Sequence, residues 1–117
     1  MADAVARRDL AVSGETAAAE WYAEHGYDVL ARNWRCRDGE LDLVVARGRR
    51  YVFVEVKTRS TDNFGVPAES VTADKQRRIR RLAARWIEDA APSRPTEIRF
   101  DVVSVLAGQL EVIEGAF

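Results

Sequence analysis

Cysteine and histidine are nearly missing from this chain. Cys36 and His25 each stand alone among 117 residues. No internal disulfide is therefore available, and a zinc site built on Cys or His has too few ligands. A single thiol suits a reducing, cytoplasmic setting. No apolar run reaches the roughly 18 residues that a membrane helix needs, and no basic-then-apolar leader is visible, so a membrane partner is not expected. There is no internal repeat and no low-complexity segment. With soft ligands scarce, carboxylates are what remains to bind a metal, and they select hard ions such as Mg²⁺.

What is present suits one globular domain. Apolar residues make up 47% of the chain and charged residues 32%, and a domain of this size buries about 65% of its unfolded surface. The net charge of −1 balances 18 Lys and Arg against 19 Asp and Glu. The balance is uneven along the chain. The stretch "KQRRIRRLAAR", residues 75–85, holds six Lys or Arg and no acid, enough for a patch that attracts phosphates.

Residues 1–12 are polar and unpatterned and read as a disordered N-terminal tail, leaving 13–117 as a single domain. "SGETAAAEWYAEHG" predicts a helix capped by Ser13 and closed by Gly26, with Ala17, Ala18, Trp21 and Tyr22 as its apolar side. "YDVLARNW" predicts a strand with Tyr27, Val29 and Ala31 on one face. After the Asp38-Gly39 turn signal comes a hairpin, then a loop containing Phe64 and Gly65. "TADKQRRIRRLAARWIEDA" has Thr72 as its cap and Ile79, Leu82, Ala83, Trp86, Ile87 and Ala90 at helical spacing. Two further strands, "EIRFDVVSV" and "LEVIE", flank an Ala107-Gly108-Gln109 turn. The expected order is α-β-β-β-α-β-β: an α/β fold with a small mixed sheet flanked by helices.

The hairpin "GELDLVVARGRRYVFVEVK", residues 39–57, carries four charges inside apolar runs. A two-residue turn at Gly48-Arg49 places Leu41, Leu43 and Val45 opposite Val56, Val54 and Val52, an aliphatic core face. On the other face Asp42 meets Glu55 and Glu40 meets Lys57, with Val44 and Phe53 beyond. Carboxylates opposed at about 5 Å repel, unless a divalent cation lies between them. Lys57 follows on the same face about 7 Å along the strand, beside acids that favour its charged form. A metal to polarise a phosphoryl oxygen and a cation to offset developing charge are the parts that phosphate-ester hydrolysis requires. Each charge also has a plainer role: Asp42 and Glu55 as a solvated strand face, Glu40 and Lys57 as an ion pair, Glu15 as an acid on a helix dipole. Asp101 reads as structural, bonding Arg99 or a loop amide. The arginines after Lys75 fit a solvated face as well as a phosphate grip.

The set "SGE" at 13–15, "RNWRCRDGELDLV" at 32–44, "VFVEVKTR" at 52–59, "FG" at 64–65, Lys75 and "RFDVV" at 99–103 resembles the bacterial YraN-like family, UPF0102. Asp42 followed by Glu55-Val56-Lys57 is similar to the signature of the PD-(D/E)XK nuclease superfamily. The resemblance implies a restriction-endonuclease-like fold over residues 13–117. It implies Glu15, Asp42 and Glu55 as the metal ligands, Glu15 being the extra acid of junction-resolvase-like members, with Lys57 as the catalytic lysine and Lys75 near the phosphate. The expectation is a cytoplasmic, Mg²⁺- or Mn²⁺-dependent endonuclease acting on DNA, structure-selective in repair or recombination. Lys75, Arg77, Arg78 and Arg81 would hold backbone phosphates. The alternative is a non-catalytic nucleic-acid- or partner-binding module on the same fold. Cutting both strands of a duplex needs two sites, which makes a homodimer or an unidentified protein partner the expected company.

Overall fold

A computed structural model describes residues 14–59 and 71–117. The expected tail, the Ser13 cap and the loop with Phe64 and Gly65 lie outside the described residues. Helix α1 covers residues 14–24 and ends at Gly26, whose φ of 86° supplies the left-handed closing position. Strands β1 (Asp28–Cys36), β2 (Gly39–Arg47) and β3 (Arg50–Arg59) follow, then α2 (Ala73–Ala90), β4 (Glu97–Leu106) and β5 (Gln109–Ile113). With α1 at its head, the order is the α-β-β-β-α-β-β expected.

The five strands form one sheet in sequence order. Hairpins join β1 to β2, β2 to β3 and β4 to β5, all antiparallel. β3 and β4 run parallel from Arg50–Glu97 to Arg59–Leu106, which requires a crossover, and α2 lies on that connection. The β2–β3 register is the one the aliphatic pairing demands, with Leu43 on Val54, Val45 on Val52 and Arg47 on Arg50.

The plainer reading of Asp42 and Glu55 as part of a solvated strand face does not hold: both faces of the hairpin are covered. Val44, Ala46, Tyr51 and Phe53 are buried against Ile79, Leu82, Ala83 and Trp86 of α2. Leu43, Val45, Val52 and Val54 are buried against Ala18, Ala19 and Tyr22 of α1. The continuous apolar runs "LVVA" and "YVFV" are those of strands covered on both sides, so the sheet lies between two helices. Leu41 also departs from expectation, joining the α2-side cluster rather than that of Leu43. Near it, Asn33 has φ 51° and occupies the gap between the Arg32–Leu43 and Trp34–Leu41 pairs, across from Asp42. In β1 the alternation of Val29 and Ala31 is likewise broken by a register shift between them, leaving Val29 exposed.

The ends of the helices are fixed locally. Thr72 caps α2 by accepting a hydrogen bond from the Lys75 N–H at 3.2 Å. In α1, a Cβ added to Gly14 would land on Oγ1 of Thr58, so glycine there lets the helix start sit directly on β3. Arg32 of β1 donates to the Thr16 hydroxyl at 2.9 Å, tying α1 to the sheet edge.

Candidate functional site

The strand that brings Asp42 forward and the strand carrying Glu55 and Lys57 are paired only from Leu43–Val54 to the turn. Beyond that pair the ladder stops. The Val56 N–H, which an unbroken ladder would direct to β2 backbone, instead donates to Asp42 Oδ2 at 2.9 Å. The expected cross-strand opposition of Asp42 and Glu55 is thus replaced by a parting of the strands, with the Asp42 carboxylate bridging the opening. A buried amide that loses its carbonyl partner needs a substitute, and Asp42 is that substitute.

Glu55 gathers the cations. Its Oε1 is 2.9 Å from Lys75 Nζ and 3.5 Å from Lys57 Nζ, and its side chain is 12% exposed. β3 supplies Glu55 and Lys57 two residues apart on one face, and the first turn of α2 supplies Lys75. Of the sequence-derived candidates, Asp42, Glu55, Lys57 and Lys75 therefore meet at one end of the sheet. Glu15, at the start of α1, lies near enough for its charge to act on Asp42.

The electrostatics follow from this crowding. Burial first, then the negative charge of Glu55, raises the Asp42 carboxyl from 3.8 to about 7; the Val56 hydrogen bond opposes the rise, and Glu15 and Glu40 add to it. Lys57 is pushed down, chiefly by burial and then by its hydrogen bond with Lys75, and the attraction of Glu55 does not reverse this. The sequence-based expectation that neighbouring acids favour its charged form is thus outweighed. In Lys75 burial also acts against the charge, but hydrogen bonds to Lys57 and Glu55 and the attraction of Glu55 outweigh it, and the net direction is upward. Of the two lysines, Lys57 releases its proton more readily.

Glu40 does not pair with Lys57 as expected; Arg35 Nε holds it at 2.8 Å. Register explains this, since Arg35 faces Glu40 across β1–β2. Along α2, Arg78, Arg81 and Arg85 recur at i+3 and i+4 beyond Lys75 and share one flank of the helix. With Asp38 and Leu82 they line a pit of about 200 Å³. Arg85 lies 3.0 Å from Asp38 and 3.5 Å from Asp89. Arg85 was not among the sequence-derived candidates, although its i+4 spacing from Arg81 was the available signal. Arg77 stands apart at the back of the helix, paired with Asp74.

Two other features bear on the choice of site. A cleft of about 1020 Å³ lies between the C-terminal half of α2, β4 and Phe117. Its lining includes one carboxylate, Glu88, and Arg80 there lies over the Phe100 ring at 4.6 Å; it has no paired acids. Among the described residues, no group of three or more His, Cys, Asp or Glu is arranged to hold a metal. A divalent ion at Asp42 and Glu55 would be held by two carboxylates and completed by water and substrate oxygens. That all-oxygen donor set fits Mg²⁺ or Mn²⁺. No helix among the described residues is long and apolar enough to cross a membrane.

Comparison with known proteins gives a consistent picture. Residues 14–105 match the profile of "Uncharacterised protein family UPF0102". A UPF0102 protein of Mycolicibacterium vanbaalenii is 48% identical, covering 92% of this chain and 88% of its own length. One from Beutenbergia cavernae is 56% identical over 80% of this chain and 78% of its own. A third, from Rhodococcus opacus, is 45% identical over 92% and 95%.

Proposed function

The chain belongs to the uncharacterised family UPF0102, and from its carboxylate–lysine cluster we propose that it is a metal-dependent endonuclease of the PD-(D/E)XK type acting on DNA. The observation that carries this reading is the meeting of Asp42, Glu55, Lys57 and Lys75 where β2 and β3 part. A fold has no need to gather two acids and two lysines at a partly buried point, whereas phosphodiester hydrolysis needs both kinds of charge there.

Asp42 and Glu55 are the residues that would hold Mg²⁺ or Mn²⁺, with Glu15 as a further acid beside them. When bound, the ion supplies a Lewis acid for the phosphoryl oxygen and lowers the pKa of a water. Lys57, the lysine that gives up its proton more easily, is suited to take a proton from the attacking water and to orient it. Asp42 is kept in place by the Val56 N–H. Lys75, Arg78 and Arg81 form a track about 9 Å long on α2 for successive backbone phosphates. These contacts read charge rather than sequence, which favours selection by DNA shape, as in repair or recombination intermediates. A homodimer or a partner protein would supply the second site for cutting both strands, and the lone Cys36 suits cytoplasmic residence.

The test is a cleavage panel of single strands, duplex, flaps and four-way junctions with Mg²⁺, Mn²⁺ or EDTA. Wild type should cut at least one substrate with metal, and Asp42→Asn and Lys57→Ala should each lose about 100-fold or more in rate. Absence of cleavage on every substrate, with DNA binding independent of metal and unchanged in Asp42→Asn, would overturn the enzyme reading in favour of a binding module.

A further inference from the structure

We propose that Lys75 is a placeholder for the metal: its ammonium occupies Glu55 in the metal-free protein and is released to the phosphate track when a divalent ion binds. The inference rests on the nuclease reading above and assigns Lys75 a second, regulatory position.

The argument begins with charge. Asp42 and Glu55 bring two carboxyl groups to a partly buried point, and a carboxylate taken out of water without a counter-ion is costly. Glu55 is 12% exposed and has two ammonium groups at its Oε1, Lys75 at 2.9 Å and Lys57 at 3.5 Å. Two lysines thus supply the positive charge that a divalent ion would bring. This balance lets the protein fold without metal, unlike sites whose metal is required for folding.

An incoming ion adds two positive charges to a point that already holds two, so an ammonium has to leave. The structure distinguishes between the lysines. Lys57 lies within the paired part of β3, opposite Ser104 of β4, and its side chain is 26% exposed. Lys75 lies in the first turn of α2, and its side chain is 32% exposed. It has the shorter distance to Glu55, the more open surroundings, and a destination. Arg78 and Arg81 continue from it along the same flank of the helix, so a released Lys75 extends the cationic track to the point of chemistry. Metal binding and phosphate grip become linked through one side chain, and the linkage is reciprocal: DNA that draws Lys75 away tightens the metal site.

Isothermal titration of the full chain with Mn²⁺ tests this in the absence of DNA. Lys75→Met removes the competing charge and should bind Mn²⁺ roughly three- to thirtyfold tighter than wild type, the range that a partly buried ion pair corresponds to. Lys75→Arg keeps the charge and should bind as wild type does. If Lys75→Met binds no tighter, or Lys75→Arg tightens equally, the placeholder role is overturned, while loss of binding in Asp42→Asn leaves the nuclease reading standing. If wild type binds no Mn²⁺, or Asp42→Asn binds it as well as wild type, both readings fall.

Discussion

Burial and the charge of Glu55 lift the Asp42 carboxyl from 3.8 to about 7, and that shift is also a statement about stability. A carboxyl whose pKa is raised in the folded protein holds its proton longer there than in the unfolded chain. Between about pH 4 and pH 7 the folded state binds the additional proton, so stability falls as pH rises through this window and stays reduced above it. The whole shift would correspond to about 4 kcal/mol, which solvent at this partly open point reduces to about 1–2 kcal/mol. Asp42→Asn retains a side-chain oxygen for the Val56 N–H and removes the charge. The variant should therefore melt above wild type at pH 8, with the difference closing as pH falls toward 5. Thermal unfolding at low ionic strength across that range checks the sign. A variant less stable than wild type at pH 8 would show that the Val56 hydrogen bond outweighs the repulsion.

α2 has a buried stripe, a basic flank and an outward face. Its buried stripe of Ile79, Leu82, Ala83 and Trp86 was visible in the helical period, and Thr72 as its cap was visible in residue type and position. Its basic flank was visible only as composition, because six cations in a short block do not reveal which of them share a side. The packed stripe settles that by fixing the rotation of the helix. Arg78 and Arg81 fall on the flank toward the β1–β2 turn, Arg80 falls over Phe100, and Arg77 points away from the sheet. If the flank is a phosphate track, Arg78→Ala and Arg81→Ala should each weaken DNA binding evenly across sequences. Each should also reduce the slope of log K against log salt by about 0.7–0.9. Arg77→Ala should leave the slope unchanged, since its charge is paired with Asp74 and directed elsewhere. Anisotropy titrations at several NaCl concentrations separate the two groups. Equal losses from Arg77 and Arg78 would mean a diffuse field rather than a track.

At the scale of the whole molecule, what was legible in the sequence is what local spacing controls. The element order and the β2–β3 register follow from periods of 2 and 3.6 and from a two-residue turn, whereas the roles given to Glu15, Lys57 and Lys75 came from the resemblance to UPF0102. The burial of both hairpin faces, the parting of β2 from β3 at Asp42, and the hold of Arg35 rather than Lys57 on Glu40 arise from layers meeting in space, which spacing along the chain does not encode. The same is true of Asp101. Its "RFDVV" setting suggested a bond to Arg99 or a loop amide, and both are present. Arg99 donates from Nε and Nη2 at 2.9 Å each, and the Gly115 N–H donates at 2.9 Å. The further donor, Tyr22 of α1 at 2.6 Å, is 79 residues away in sequence. Asp101 is fully buried, and through it α1, the sheet and the C-terminal turn hold one another. Asparagine there keeps one acceptor oxygen, but it loses the charge that Arg99 pairs with, although Arg99 keeps Glu114 at 3.0 Å, and it sets an NH₂ group against the donors that met the other oxygen. Asp101→Asn should therefore lower unfolding free energy by about 3–5 kcal/mol. Tyr22→Phe, which deletes one hydrogen bond and leaves the carboxylate satisfied by the others, should cost about 1–2 kcal/mol. Because the network fixes α1 and the C-terminal turn to the sheet on whose other face α2 packs, far-ultraviolet and tryptophan signals should move together in urea, with Trp21 on one layer and Trp86 on the other reporting a single transition. Separate transitions would show that the layers unfold independently and that Asp101 anchors α1 alone.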